Sequence, residues 1–235
     1  MALDIPRIQC ICFDVDGTLS DTDDLWVNRL EKNLTPARLI FPQRSPHSFA
    51  RWAVMGIEAP GNLLYWLLDF LHVDDDIGHV LNKMSKKGRL RTSGPYWIIH
   101  AVKETLLALQ SRYPLAVVSA RDQGSTYAFL DHFDLTPLFQ AVATSQTCEH
   151  TKPFPDPVIW AGEKMGISPH NLLMVGDTWV DVRAGKAAGA QTVGVLCGFG
   201  REKSLRRAGA DLIIPSTGDL IDVLNKGVDS LSDVC

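Results

Sequence analysis

The sequence has no long apolar run. Its longest apolar stretches, such as Leu63–Leu68, are far too short to cross a bilayer. The alternating residues from Met1 to Phe13 lack the apolar core and cleavage site of a secretory signal. A membrane is thereby excluded as a partner, and the cytoplasm is the expected location. Cysteine is scarce too: Cys10, Cys12, Cys148, Cys197 and Cys235 make an odd five with no C-x-x-C spacing, which argues against a disulfide framework. Cys10 and Cys12 would point to one face of a strand as small core residues, since a structural zinc wants four ligands and no His or Cys lies nearby in the chain. Surplus charge is also small, 23 basic against 27 acidic residues for a net −4. Such a chain has no field that would gather a polyanion, and nucleic acid is excluded as a partner. Low-complexity tracts, solenoid repeats and Gly/Ser tethers are missing. What remains is 235 residues, 46% hydrophobic and 21% charged, enough for one generous domain or a domain with a sizeable insert. Monomer and homodimer both stay open.

The second half repeats one unit, a short apolar run rich in β-branched residues followed by an amphipathic stretch. Leu115–Ser119 precedes Asp122–Phe133, Gln140–Thr144 precedes Asp156–Met165, and Leu172–Gly176 precedes Trp179–Ala188, which stops at Gly189. Gln191–Leu196 then precedes Glu202–Ala208, and Asp211–Ile214 precedes Gly218–Lys226. Continuous apolar strands alternating with helices predict an α/β fold, a parallel sheet with helices on both faces. One strand, Ile8–Phe13, is separated from the next by about a hundred residues, far more than a crossover needs. An insertion is expected there. Residues 21–91 carry only helix-like patterns and breakers, which predicts a mostly helical cap on a core made of residues 1–20 and 92–235. A helix over Pro95–Arg112 would return the chain to the sheet, with Pro95 in its first turn.

The first strand runs into Asp14-Val15-Asp16-Gly17-Thr18. Two carboxylates one residue apart at the end of a buried strand are costly unless they bind something, and a hard cation such as Mg²⁺ suits them because it takes oxygen ligands while keeping waters and a substrate phosphate. Gly17 permits a tight turn, and Thr18 offers a hydroxyl and a backbone N–H. A second acidic cluster, Gly176-Asp177-Thr178-Trp179-Val180-Asp181, again follows an apolar strand. Open parallel sheets bind ligands at their carboxyl edge where the winding reverses. With the first strand central, Asp14, Asp16, Ser119, Asp177 and Asp181 converge there. Taken singly, Asp-Gly is a turn, Asp177 or Asp181 a helix cap, Ser119 a cap for the helix near Asp122, and Lys152 a solvated loop lysine; it is their combination that points to a site.

Four ordered motifs carry a resemblance over nearly the whole chain: Asp14-Val-Asp-Gly-Thr18, Val118-Ser119-Ala120-Arg121, Thr151-Lys152-Pro153 and Gly176-Asp177-Thr-Trp-Val-Asp181. Together they resemble the haloacid dehalogenase superfamily of aspartate-nucleophile hydrolases, in its branch with a helical cap inserted after the first motif. The resemblance implies a Rossmann-like core and a Mg²⁺-dependent phosphatase acting on a small phosphorylated metabolite. Asp14 would be phosphorylated, and Asp16 would protonate the leaving alkoxide and then deprotonate the hydrolytic water. The Asp14 carboxylate, the Asp16 main-chain carbonyl and Asp177 would hold Mg²⁺. Ser119 would hold a phosphoryl oxygen and Lys152 would offset negative charge. Asp181 would be either a further ligand through water or a group holding a ligand or Lys152.

Asp16 favours phosphate esters within that family, because the dehalogenases that resemble this chain lack an acid two residues after the nucleophile. Gly194–Gly200 looks like the Gly-aromatic-Gly turn of phosphoglycolate phosphatases, or is a turn only. Ala120-Arg121 departs from the pattern, which often has Asn or a small residue there; Arg121 would reach a substrate anion or face solvent. In the cap, Arg44, His47 and Arg51 would hold a second anionic group or form a solvated helix face. Two rivals remain at this stage: a phosphomutase of the same branch, and a non-enzymatic phospho-accepting signalling module, against which the large cap and the Asp at position 16 speak.

Overall fold

The structure is a computed structural model and describes residues 3–21 and 96–225. Arg44, His47, Arg51 and all of the expected cap except Asp21 therefore lie outside the described residues. Six strands make one sheet: β1 (Cys10–Phe13), β2 (Leu115–Val118), β3 (Phe139–Ala143), β4 (Leu172–Gly176), β5 (Gln191–Val195) and β6 (Leu212–Ile214). Their order is β3-β2-β1-β4-β5-β6, and every pairing is parallel. The intervening helices are α1 (Val102–Leu109), α2 (Gln123–His132), α3 (Asp156–Met165), α4 (Trp179–Ala188) and α5 (Glu202–Ala208). The expected α/β sheet is thus observed.

The period-two side-chain alternation of a strand divides the core into two unlike halves. Ile11 and Phe13 of β1 pack with Leu115, Val117, Leu173, Val175, Leu106 and Phe129. Cys10 and Cys12 face the other way, among Ala116, Val118, Met174, Val158, Ala161 and Ala184. The two cysteines are therefore core residues on one face, as the spacing implied, and the thiol of Cys10 contacts Met165 Sδ at 3.6 Å.

Chain order places the site. β1 pairs with β2 on one side and β4 on the other, with Phe13 level with both Val117 and Val175. Winding runs outward from β1 through β2 to β3, then restarts beyond β1 at β4. The carboxyl ends of β1, β2 and β4 lie side by side at that reversal, where ligands of open parallel sheets bind. Asp14 continues the ladder by donating its N–H to the Val175 carbonyl (2.9 Å), and Ser119 does the same to Ala143 (2.9 Å).

The segment after β1 returns to its own starting point. Asp21 N–H donates to Trp97 O, Ile99 N–H donates to Leu19 O, each at 3.0 Å, and Ser20 bridges Ile98 in antiparallel sense. This pairing corrects the expected helix over Pro95–Arg112. The stretch 96–99 is committed to the pairing, so α1 starts only at Val102, after Ala101 at a φ of 61°. Among the described residues no helix is long and apolar enough to cross a membrane.

Candidate active site

Asp14 is the first residue past β1 and is buried. Its Oδ1 accepts a hydrogen bond from Lys152 Nζ at 2.6 Å. The same ammonium donates to Asp181 Oδ1, also at 2.6 Å. All three side chains are at most 8% exposed. Burial pushes the Asp14 carboxyl up, to about 7, against the opposing pull of Lys152. Burial also opposes the charge on Lys152, yet Asp14 and Asp181 together hold it well above the usual lysine range.

Asp181 is buried on the first turn of α4. Its Oδ2 accepts from Thr178 N (3.0 Å) and Thr178 Oγ1 (2.6 Å), a reciprocal cap that fixes the helix start. Both oxygens of Asp181 are therefore engaged, one by Lys152 and one by Thr178. The Asp181 carboxylate thus contacts Lys152 through one oxygen and the helix cap through the other.

Asp177 follows β4 and is fully buried. Its Oδ2 accepts from Phe199 N at 2.7 Å. A Cβ on Gly198 would collide with that same oxygen and lie 2.6 Å from Gly17 Cα, and one on Gly200 would overlap the Asp177 carbonyl. These glycines let the loop after β5 press its backbone onto the acidic loop, a closer packing than a turn alone requires. Gly17 has a φ of +70° and faces Asp177 just as tightly.

Asp14, Asp177 and Asp181 each bring a carboxylate oxygen within 4.8 Å of the others. Three buried carboxyl groups outnumber the ammonium of Lys152 by two. An all-oxygen donor set with that surplus fits a hard divalent cation such as Mg²⁺. Asp14 and Asp177 could hold such an ion without disturbing the contacts that Asp181 makes with Lys152 and Thr178.

Ser119 is buried at the end of β2. Its Oγ accepts from the Arg121 N–H at 3.1 Å, whereas the cap of α2 is Asp122, which accepts from Ser125 N at 3.0 Å. Capping does not account for Ser119. Thr18 is buried with its hydroxyl lacking a hydrogen-bond partner among the described residues, while its carbonyl accepts from Thr217 Oγ1 at 2.7 Å.

The Arg121 guanidinium meets Asp16. Its Nε donates to Asp16 Oδ2 at 2.7 Å and its Nη2 to Asp16 Oδ1, a two-pronged grip on the second carboxylate of the first motif. Sequence reasoning missed this pair, the Phe199 amide and the roles of Gly198 and Gly200. Their partners lie 105 and 22 residues away, and the only local sign was the basic residue where the second motif usually has Asn or a small one.

Residues 11–195 match the family described as haloacid dehalogenase-like hydrolase. A phosphoglycolate phosphatase of Shigella sonnei (strain Ss046) is 32% identical over 92% of this chain and 92% of its own. The pyrophosphatase PpaX of Bacillus pumilus (strain SAFR-032) is 27% identical over 92% of this chain and 96% of its own. A haloacid dehalogenase-like family hydrolase from Streptococcus pneumoniae shares the fold with a TM-score of 0.67 at 19% identity, covering 92% of this chain and 98% of that one.

Proposed function

The chain belongs to the haloacid dehalogenase-like hydrolase family and is a phosphatase of that family; from this premise we propose that it is a cytoplasmic, Mg²⁺-dependent enzyme that hydrolyses a small phosphorylated metabolite through an aspartyl phosphate on Asp14. Family membership decides against the phospho-accepting signalling module. The observation that carries the proposal is the buried bridge of Lys152 between Asp14 and Asp181, set beside Asp177 and Ser119 at the sheet's reversal point.

In this reading Asp14 attacks phosphorus in line with the departing alkoxide, splitting one slow displacement into two easier ones. Lys152 keeps the nucleophile oriented and offsets charge on the transferring group, and Asp181 holds Lys152 in place. Ser119 and nearby backbone N–H groups hold a phosphoryl oxygen. Asp16 gives a proton to the alkoxide, then takes one from the water that hydrolyses the acyl phosphate. The Asp14 and Asp177 carboxylates and the Asp16 main-chain carbonyl would hold Mg²⁺, whose positive charge would offset that of the phosphate in this acidic pocket. Substrate choice falls to the helical cap proposed for residues 21–91.

The test is phosphate release from p-nitrophenyl phosphate with Mg²⁺ and with EDTA, followed by a panel that includes phosphoglycolate, pyrophosphate, sugar phosphates and nucleotides. Release that needs Mg²⁺ and disappears in Asp14→Asn is expected. Full activity in chelator, or an unimpaired Asp14→Asn, overturns the proposal; isomer formation from a hexose phosphate without net release points to the phosphomutase.

A further inference from the structure

The loop that follows β1 is held from a part of the chain outside the four motifs. Val15 O accepts from the N–H groups of Thr18 (3.3 Å), Leu19 (2.9 Å) and Ser20 (2.8 Å), and Gly17 N donates to Ser20 O at 2.9 Å. These bonds orient the N–H side of the peptide planes from Asp16 to Ser20. Two of the same planes are also held by their carbonyls. Cys197 Sγ donates to Gly17 O at 3.4 Å and Thr217 Oγ1 to Thr18 O at 2.7 Å, from 180 and 199 residues away. Thr217 is fully buried, and its own turn is locked in place. Ser216 N donates to Asp219 Oδ2 at 2.9 Å, Gly218 N to Ser216 Oγ at 3.4 Å, and Thr105 Oγ1 of α1 to Gly218 O at 3.4 Å. A hydroxyl on so braced a turn is a fixed point against which the acidic loop rests.

We infer that Thr217 is a positioning residue for the cation site, holding the loop from Asp14 to Thr18 so that its oxygens and those of Asp177 can share one ion; the inference rests on the Mg²⁺ reading above. Gly17 is the pivot of that loop. At a φ of +70° and without a Cβ, it adds little stiffness of its own. A peptide plane is rigid and trans, so the Gly17 N–H that meets Ser20 O fixes the direction of the Asp16 carbonyl on the opposite side of the same plane. Such a pivot has to be held on both sides. Upstream, Asp14 N–H is tied into the sheet at Val175 O. Downstream, the Thr217 hydroxyl holds the Thr18 carbonyl. Loss of that hydroxyl takes this partner from a buried carbonyl and lets the chain turn about Gly17, which shifts the Asp16 carbonyl relative to Asp177.

Mg²⁺ affinity, read without substrate, separates this role from plain stabilisation. Tm is followed against Mg²⁺ concentration, and Kd is taken from the metal-dependent rise above the value in EDTA. Thr217→Val, of the same shape but without the hydroxyl, is expected to bind Mg²⁺ about 10-fold more weakly, the lower end of the loss typical when a group that holds a metal ligand is removed. Thr217→Ser keeps the hydroxyl and is expected to recover most of that loss. Cys197→Ala, which removes the longer of the two carbonyl contacts, is expected to fall between wild type and Thr217→Val. Thr192→Val serves as the structural control, because it deletes another fully buried hydroxyl, one that meets Asp211 Oδ2 at 3.2 Å. It is expected to lower Tm in EDTA and to leave Kd at the wild-type value. Wild-type Kd in Thr217→Val, no recovery in Thr217→Ser, or an equal loss in Thr192→Val overturns the inference while leaving the Mg²⁺ reading intact. Wild-type protein whose Tm does not respond to Mg²⁺ overturns the reading and the inference together.

Discussion

Replacing Lys152 by Met removes the ammonium that two buried carboxylates share. Asp14 and Asp181 each lie 2.6 Å from its Nζ, with side chains 8% and 3% exposed, so water cannot take over. Removing one partner of a buried ion pair costs about 3–5 kcal/mol. That penalty should depend on pH, and the sign follows from proton uptake. An unfolded aspartate loses its proton near pH 4, whereas burial already holds folded Asp14 at about 7 in the metal-free protein. A folded carboxyl that keeps its proton where the unfolded one has lost it makes stability fall as pH rises. In wild type this fall runs from about pH 4 to 7; in the variant, without Lys152 pulling the other way, it extends to higher pH. The deficit of Lys152→Met relative to wild type should therefore be slight near pH 4.5 and reach about 3–5 kcal/mol at pH 8. Urea unfolding in EDTA, followed by tryptophan fluorescence at both pH values, measures it. A deficit at pH 8 below about 1 kcal/mol, the range of an exposed pair, or one unchanged between the two pH values, refutes the account of the bridge.

Asp181→Ala loses the reciprocal cap with Thr178 as well as one arm of the Lys152 bridge, so thermal stability should drop by at least the 0.5–2 kcal/mol of a lost cap, about, and turnover should fall with it; undiminished turnover would show that Lys152 needs no support. Gly198→Ala drives a methyl group into Asp177 Oδ2 and Gly17 and should raise the Mg²⁺ concentration needed for half-maximal activity, read from a metal titration. Asp211 is partly buried, which disfavours its charge, yet Lys186 Nζ at 2.5 Å and Thr192 N at 2.8 Å hold its carboxyl below the usual range. The stability it confers is present above the unfolded value near 4 and is lost as pH falls through its lower folded value. Asp211→Asn should accordingly be less stable than wild type at pH 7, with the difference shrinking as pH falls below about 4 in thermal melts.

The parts of the fold that were legible are those punctuated by local chemistry. Helix α3 keeps its expected bounds, Asp156–Met165, because Gly166 ends it at a φ of 67°; α4 runs from Trp179 to Ala188 between its Thr178 cap and Gly189 at 85°. Strand β4 is unbroken apolar sequence and needs no further signal. The late start of α1 was not legible, because helical periodicity carries no trace of the pairing that claims Ile98 and Ile99 for Ser20 and Leu19. The site divides in the same way. Asp14, Ser119, Asp177 and Asp181 could be placed together because each sits at or beside a strand end and the topology aligns those ends, whereas Lys152, in the loop between β3 and α3, was named only through the family resemblance. The Arg121–Asp16 pair and the Gly198 approach to Asp177 depend on side-chain reach and loop height, which strand order leaves undetermined.

The central claim is that Asp14 carries the phosphoryl group in turnover, and the covalent adduct tests it most directly. Protein mixed with Mg²⁺ and substrate is quenched in acid, reduced with borohydride to convert an acyl phosphate to an alcohol, and mapped by peptide mass spectrometry. The account predicts homoserine at position 14, dependent on substrate and lost when EDTA replaces Mg²⁺. Phosphate release with residue 14 unmodified, or with the adduct on another side chain, would contradict it.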